Sequence, residues 1–176
     1  MANPINGDGN LHQNLNKFPF VLAFIALILT APAAAQNPHG KIHDAWGVRC
    51  NTPTGAPAAC QIFQNIVVKD SRQPILNFAI SFADDAKTAV GIFVMPLGIY
   101  LPPGLTLQVD DGQIYEMAIE ICGLKGCRVR FGFDENLMNL FKRGKAARIT
   151  FSGGDQKPIR IPVSLKGFTA ALNDLK

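Results

Sequence analysis

Over most of the chain beyond residue 44, apolar residues recur at alternate positions in short runs, and the runs are separated by Gly, Pro, Asp or Asn. A period of two sends successive side chains to opposite faces of a strand. Nine segments read as strands on this pattern: 45–50, 61–68, 75–82, 89–95, 105–109, 114–121, 127–133, 147–151 and 159–163. Turn signals stand between them, among them Ala83-Asp84-Asp85-Ala86, Pro102-Pro103-Gly104, Asp110-Asp111-Gly112 and Gly153-Gly154-Asp155. In 127–133, Cys127, Val129, Phe131 and Phe133 point one way and Arg128, Arg130 and Gly132 the other, so the apolar set is the core face.

Two segments carry helical spacing instead. Over 134–143 an N-cap Asp134 precedes apolar Leu137, Leu140 and Phe141, and Gly144 stands just past the end, which predicts a short amphipathic helix. After Ser164, Leu165, Phe168, Leu172 and Leu175 fall on one helical face, predicting a second short helix packed across a sheet edge or end. Many short strands with few helices predict an all-β sandwich or barrel rather than βαβ units. Neither a repeat nor a linker divides 45–176, so it is expected to be a single domain.

The N-terminus departs from all of this. Residues 18–29 are an unbroken apolar run of 12, preceded by Lys17 and followed by small residues including Ala33 and Ala35. The run is short of the roughly 20 residues of a membrane span and fits the apolar core of a secretory signal. Residues 1–35 are therefore expected to be a signal peptide cleaved before Gln36, with 36–44 as a flexible leader. Export places the protein in the periplasm or at the outer membrane or cell surface.

All four cysteines, Cys50, Cys60, Cys122 and Cys127, lie beyond that segment. An even count behind a signal sequence reads as two disulfides, for which three connectivities exist. The pairs Cys50 with Cys60 and Cys122 with Cys127 are preferred because each brackets a turn-forming stretch. Zinc is disfavoured by the absence of a CxxC knuckle or a nearby His, and a dithiol oxidoreductase by the same spacing.

Catalytic signatures are sparse. Two histidines, His39 and His43, follow the signal and fall in the expected leader, away from any nucleophile, and GxSxG, HExxH and GxxxxGK[ST] are missing. Asp84-Asp85 and Asp110-Asp111 fit turns, and Glu116 and Glu120 fit one face of the strand 114–121. Neither catalytic residues nor a cofactor or metal are expected.

Charge changes the picture more. The chain's 17 basic and 13 acidic residues are unevenly placed, with 5 and 8 over 36–121 but 11 and 4 over 122–176. Arg128, Arg130, Lys142, Arg143, Lys145 and Arg148 are the candidate partner-binding residues, suited to an acidic macromolecule or an anionic membrane surface. Nucleic acid is excluded as a partner for an exported protein whose cations are not interleaved with aromatics. Trp46, the sole tryptophan, is expected in the core near Cys50.

Trp46-Gly-Val-Arg-Cys50, Cys60-Gln-Ile-Phe-Gln64, Pro96-Leu-Gly-Ile-Tyr100, Cys122-Gly-Leu-Lys-Gly-Cys127 and Pro162-Val-Ser-Leu-Lys-Gly-Phe-Thr-Ala-Ala-Leu172, in this order, resemble the invasion-associated locus B family of alphaproteobacteria. The resemblance runs from about residue 44 to the C-terminus. It implies an immunoglobulin-like β-sandwich of the cell envelope with paired cysteines, and it carries over no catalytic residues. A non-enzymatic interaction module serving host-cell invasion or envelope assembly is the reading this supports. The alternative is a periplasmic small-ligand or glycan-binding protein, or an enzyme, using Trp46, Tyr100 or Tyr115 beside a turn carboxylate, and it requires an exposed aromatic in a concave pocket.

Overall fold

A computed structural model describes residues 38–51, 59–83 and 88–175. The expected signal peptide and its cleavage site, the pair Asp84-Asp85 and most of the loop between Cys50 and Cys60 lie outside these residues. Eleven strands and two helices follow in the order β1 (Ile42–His43), β2 (Trp46–Asn51), β3 (Ala59–Val67), β4 (Pro74–Phe82), β5 (Ala89–Met95), β6 (Ile99–Val109), β7 (Ile114–Met117), β8 (Ile121–Gly123), β9 (Gly126–Phe133), α1 (Glu135–Arg143), β10 (Ala146–Gly153), β11 (Pro158–Ser164) and α2 (Phe168–Asn173). They form a β-sandwich of two antiparallel sheets, one of seven strands ordered β1-β2-β3-β4-β5-β9-β8 and one of four ordered β11-β10-β6-β7.

Alternation produces the core. β5 is buried at every second residue from Ala89 to Met95, and β9 buries Cys127, Val129 and Phe133 while exposing Arg128 and Arg130. Opposite them, Leu105, Leu107, Val109, Ala147, Ile149, Phe151, Ile161 and Val163 fill the inner face of the smaller sheet. Rings link the larger sheet to both helices: Trp46 meets Phe78 and Phe168, Phe78 meets Phe93, and Phe141 meets Phe133 and Phe168, at centroid distances of 4.3 to 5.5 Å. Such pairs contribute about 0.5–1.5 kcal/mol each beyond their buried area.

The helices end the sandwich on one side. Asp134 Oδ1 accepts the Leu137 N–H at 2.7 Å, and Leu137 and Phe141 go into the core. Gly144 closes α1 in an extended rather than left-handed conformation, its N–H donating to the Leu140 carbonyl. α2 buries Phe168, Ala171 and Leu172, with Leu165 buried just before it.

Three expectations are corrected. Pro102-Pro103-Gly104 does not begin a strand at 105: β6 starts at Ile99, and residues 101–104 bulge out, since Phe151 pairs with Leu105 but Ser152 pairs with Tyr100. The strand expected over 114–121 is two. β7 pairs with β6 in the small sheet, β8 with β9 in the large one, and residues 118–120 cross between the layers. Tyr115, Met117 and Ile119 keep packing on the core through the crossing, so the alternation conceals it. Finally, the expected flexible leader 36–44 is, from residue 38, a turn and a strand: Ile42 and His43 of β1 pair with Gly47 and Trp46.

Candidate functional site

Both disulfides are the expected ones. Cys50 faces Cys60 across β2 and β3, and Cys122 faces Cys127 across β8 and β9, each at a paired position of an antiparallel ladder. All four thiols are thereby occupied.

The six candidate cations do not form one surface. Arg128 and Arg130 project from the outer face of the seven-stranded sheet, whereas Arg148 projects from the outer face of the four-stranded sheet, where its Nη1 donates to Gln108 Oε1 at 3.0 Å. Lys142 and Arg143 occupy the last turn of α1, and Arg143 Nε donates to the Asn139 carbonyl at 3.3 Å, complementing the negative helix end. Lys145 stands with Arg148 around a cleft of about 410 Å³ floored by Asp110. The Asp110 carboxylate accepts the backbone N–H groups of Lys145 and Ala146, so it holds the β10 entry to the turn after β6. Adjacency in sequence was lost because the chain passes through α1 between β9 and β10 and changes layer.

What the larger sheet does assemble is visible in its register. One cross-strand row on its outer face reads Gly47, Phe63, Ala79, Ile92, Arg130, and its neighbours read Arg49, Gln61, Ser81, Val90, Gly132 and Asn65, Asn77, Val94, Arg128, Ile121. An apolar strip of the half-buried Phe63, Val90, Ile92 and Val94, with the buried Ala79 between them, thus lies between Arg49 on one side and Arg128 and Arg130 on the other. The Arg49 guanidinium sits over the Phe63 ring at 5.1 Å, a cation–π contact, and Gln61 accepts from it. Arg128 pairs with Glu120 at 3.2 Å, and Arg130 makes no ion pair among the described residues. Sequence reading missed the strip, although β5 signals it: Ala89-Val-Gly-Ile-Phe-Val-Met95 has no polar residue on either face, as in a strand covered on both sides.

The aromatic and acidic candidates for a ligand site separate. Trp46 is fully buried, and its Nε1 donates to the Ser164 carbonyl at 3.1 Å, an oxygen that also accepts from Gln64 Nε2 at 2.6 Å. The cleft at Asp110, a second of about 500 Å³ near Leu97 and Leu124, and a third of about 340 Å³ near Ile42 and Phe63 are lined by none of Trp46, Tyr100 and Tyr115. Glu116 and Glu120 do not share a strand face, because Glu116 belongs to β7 and Glu120 precedes β8 in the other sheet.

His43, read as part of a mobile leader, is tied down: its Nε2 donates to Asp174 Oδ2 at 2.7 Å, and Lys41 Nζ reaches Asp174 Oδ1 at 3.1 Å. The hydrogen bond from His43, aided by Lys41, holds the Asp174 carboxyl below its usual range against a smaller opposing effect of burial. Lys166 pairs with Asp44 at 2.8 Å across the same junction. Together they latch β1 to α2. Nothing in the sequence pattern links residues separated by about 130 positions, so this cluster had no local signal.

Comparison with known proteins agrees with this architecture. An invasion protein B homologue of Brucella abortus (strain 2308) is 25% identical over 170 residues, covering 93% of this chain and 97% of its own, and a homologue from Brucella abortus biovar 1 (strain 9-941) matches equally. The crystal structure of invasion associated protein B from Bartonella henselae superposes with a TM-score of 0.68 and 26% identity, over 77% of this chain and 92% of that one. The family model for invasion associated locus B (IalB) protein matches residues 46–176, from the first residue of β2 to the C-terminus, and the chain belongs to the IalB family.

Proposed function

We propose that the chain is an exported, non-enzymatic protein of the bacterial cell envelope that acts by binding an acidic protein surface. The observation that carries this reading is the apolar strip of the seven-stranded sheet between Arg49, Arg128 and Arg130. Contiguous apolar surface rimmed by polar groups is the mark of an interaction site, and its cations are all Arg, the residue favoured over Lys in interfaces because its planar fork matches carboxylates. Export is supported by the secretory pattern at residues 18–36 and by two disulfides in a small domain, which belong to oxidising compartments. The Brucella and Bartonella relatives carry invasion in their names. The process we assign here is correspondingly host-cell entry, or the envelope assembly that precedes it.

Two measurements test it. Charge reversal by Arg128→Glu with Arg130→Glu abolishes binding to host cells or envelope extracts, while Arg148→Glu on the opposite sheet leaves it intact; equal binding by all three proteins removes the strip from the account. Protease treatment of intact and osmotically opened cells then locates the domain. Cleavage in intact cells puts it at the surface and favours host contact, protection until opening favours envelope assembly, and digestion only after cell lysis refutes export.

A further inference from the structure

Nine large apolar side chains are exposed among the described residues, and six of them, Val67, Val68, Leu97, Tyr100, Leu101 and Leu124, lie at one end of the sandwich. That end is opposite to α1 and α2. It is built from the turns joining β3 to β4, β5 to β6, β8 to β9 and β10 to β11, together with the bulge in β6. Leu124 is fully exposed at the first position of the two-residue turn between the paired Gly123 and Gly126, where Asn, Asp or Gly is usual. Leu97, 56% exposed, faces it across the cleft of about 500 Å³.

These side chains are not a flat face. They stand on separate tips, and cations stand beside them: Lys69 follows Val68, Arg72 N–H donates to the Val68 carbonyl, and Lys125 follows Leu124. None of Lys69, Arg72 and Lys125 has an ion-pair partner among the described residues, whereas Lys157 in the neighbouring turn is paired with Asp155. Asp70 is the remaining carboxylate in these turns. Apolar tips in a cationic collar suit an interface with an apolar interior and a negative surface, the profile of an anionic bilayer.

We propose that this end of the sandwich docks on an anionic lipid bilayer, Leu97 and Leu124 entering the acyl boundary and Lys69, Arg72 and Lys125 lying against headgroup phosphates. The surface is distinct from the arginine-rimmed strip, and the inference rests on the exported reading only for where the bilayer is met. Bound this way, the sandwich stands upright on the membrane with both sheet faces free.

The test is co-sedimentation of the purified, disulfide-bonded protein with vesicles of phosphatidylglycerol and phosphatidylcholine or of phosphatidylcholine alone. Binding to the mixed vesicles is expected, with little to the neutral ones and a decline as salt is raised. Leu97→Asp with Leu124→Asp weakens partitioning at least about tenfold, the share of one buried leucine. Lys69→Gln, Arg72→Gln and Lys125→Gln together weaken it about a hundredfold, at about fivefold per charge. Ile114→Asp at the other end changes nothing. Leu97→Ser with Leu124→Ser repeats the measurement should the aspartates disturb folding, which an unchanged urea midpoint excludes. Failure to bind the mixed vesicles, equal binding to neutral ones, or full binding by the leucine variants each overturns the proposal. None of these outcomes bears on the compartment, which the protease experiment reads separately.

Discussion

Gly98 and Gly167 offer a controlled comparison of backbone strain with steric overlap. Their φ angles, 83° and 85°, are the same left-handed conformation, but a Cβ at residue 98 would meet nothing within 4 Å, while one at residue 167 would overlap the His43 carbonyl oxygen. Alanine at 98 therefore incurs the left-handed penalty alone, about 1 kcal/mol after the gain from a less flexible unfolded chain. Alanine at 167 incurs the same penalty and also pushes β1 away from α2. That displacement breaks the bond from the Ala45 N–H to the Lys166 carbonyl and the bond from His43 to Asp174, at about 1 kcal/mol each for partly exposed groups. The expected losses are about 1 kcal/mol for Gly98→Ala and about 3 kcal/mol for Gly167→Ala, the latter lowering the melting temperature by about 10 °C. Urea unfolding without reductant, followed by the fluorescence of the buried Trp46, measures both. A Gly167→Ala protein within about 0.5 kcal/mol of Gly98→Ala would refute the overlap argument and with it the claim that β1 is clamped to α2.

Replacing Cys50 and Cys60 by serine should remove about 2.5 kcal/mol and replacing Cys122 and Cys127 about 2 kcal/mol, because the pairs close loops with sequence separations of 10 and 5; urea midpoints in the reverse order would contradict the chain-entropy account. Trp46→Phe and Gln64→Leu each leave the Ser164 carbonyl one donor, whereas the double variant strands it, so a double-mutant cycle should show the pair losing about 1 kcal/mol more than the sum of the singles. Asp174→Asn tests the latch by pH. The folded carboxyl lies below its ordinary value of 3.8, so its contribution is present above that pH and disappears as pH falls through the folded value; the two proteins should differ at neutral pH and converge in acid. A constant difference across that range would assign the loss to packing.

Strands with one face on the core were legible because burial imposes the period of two that the sequence displays; 89–95 was located to the residue. The failures have identifiable causes. Two prolines and a glycine read as a strand boundary, yet β6 accommodates them in a bulge: Pro102 and Pro103 are exposed, so their missing N–H groups break no ladder bond that the core needs, and the buried Gly104 takes a positive φ. β1 is two residues long, too short for any period, and its order is supplied by Asp174 and Lys166 at the far end of the chain. The division of the cationic half has the same origin: which sheet an arginine faces depends on the crossing between β9 and β10, a tertiary event with no signature in the spacing of the charges.

The candidate surfaces were more legible than the reading made of them, because each breaks a local rule in plain view. A strand without a polar residue on either face needs a cover on both, and only one face of β5 has it within the described residues. A two-residue turn opening with leucine, as in Gly123-Leu124-Lys125-Gly126, leaves that side chain in water, against the preference for Asn, Asp or Gly. The hydrophobic effect disfavours both arrangements in the isolated domain, by roughly 1.5–3 kcal/mol for a leucine left wholly exposed. Both departures place apolar area at the surfaces for which we propose partners, whereas Ile42, Ile114 and Ile121 are exposed singly, as a folded domain tolerates.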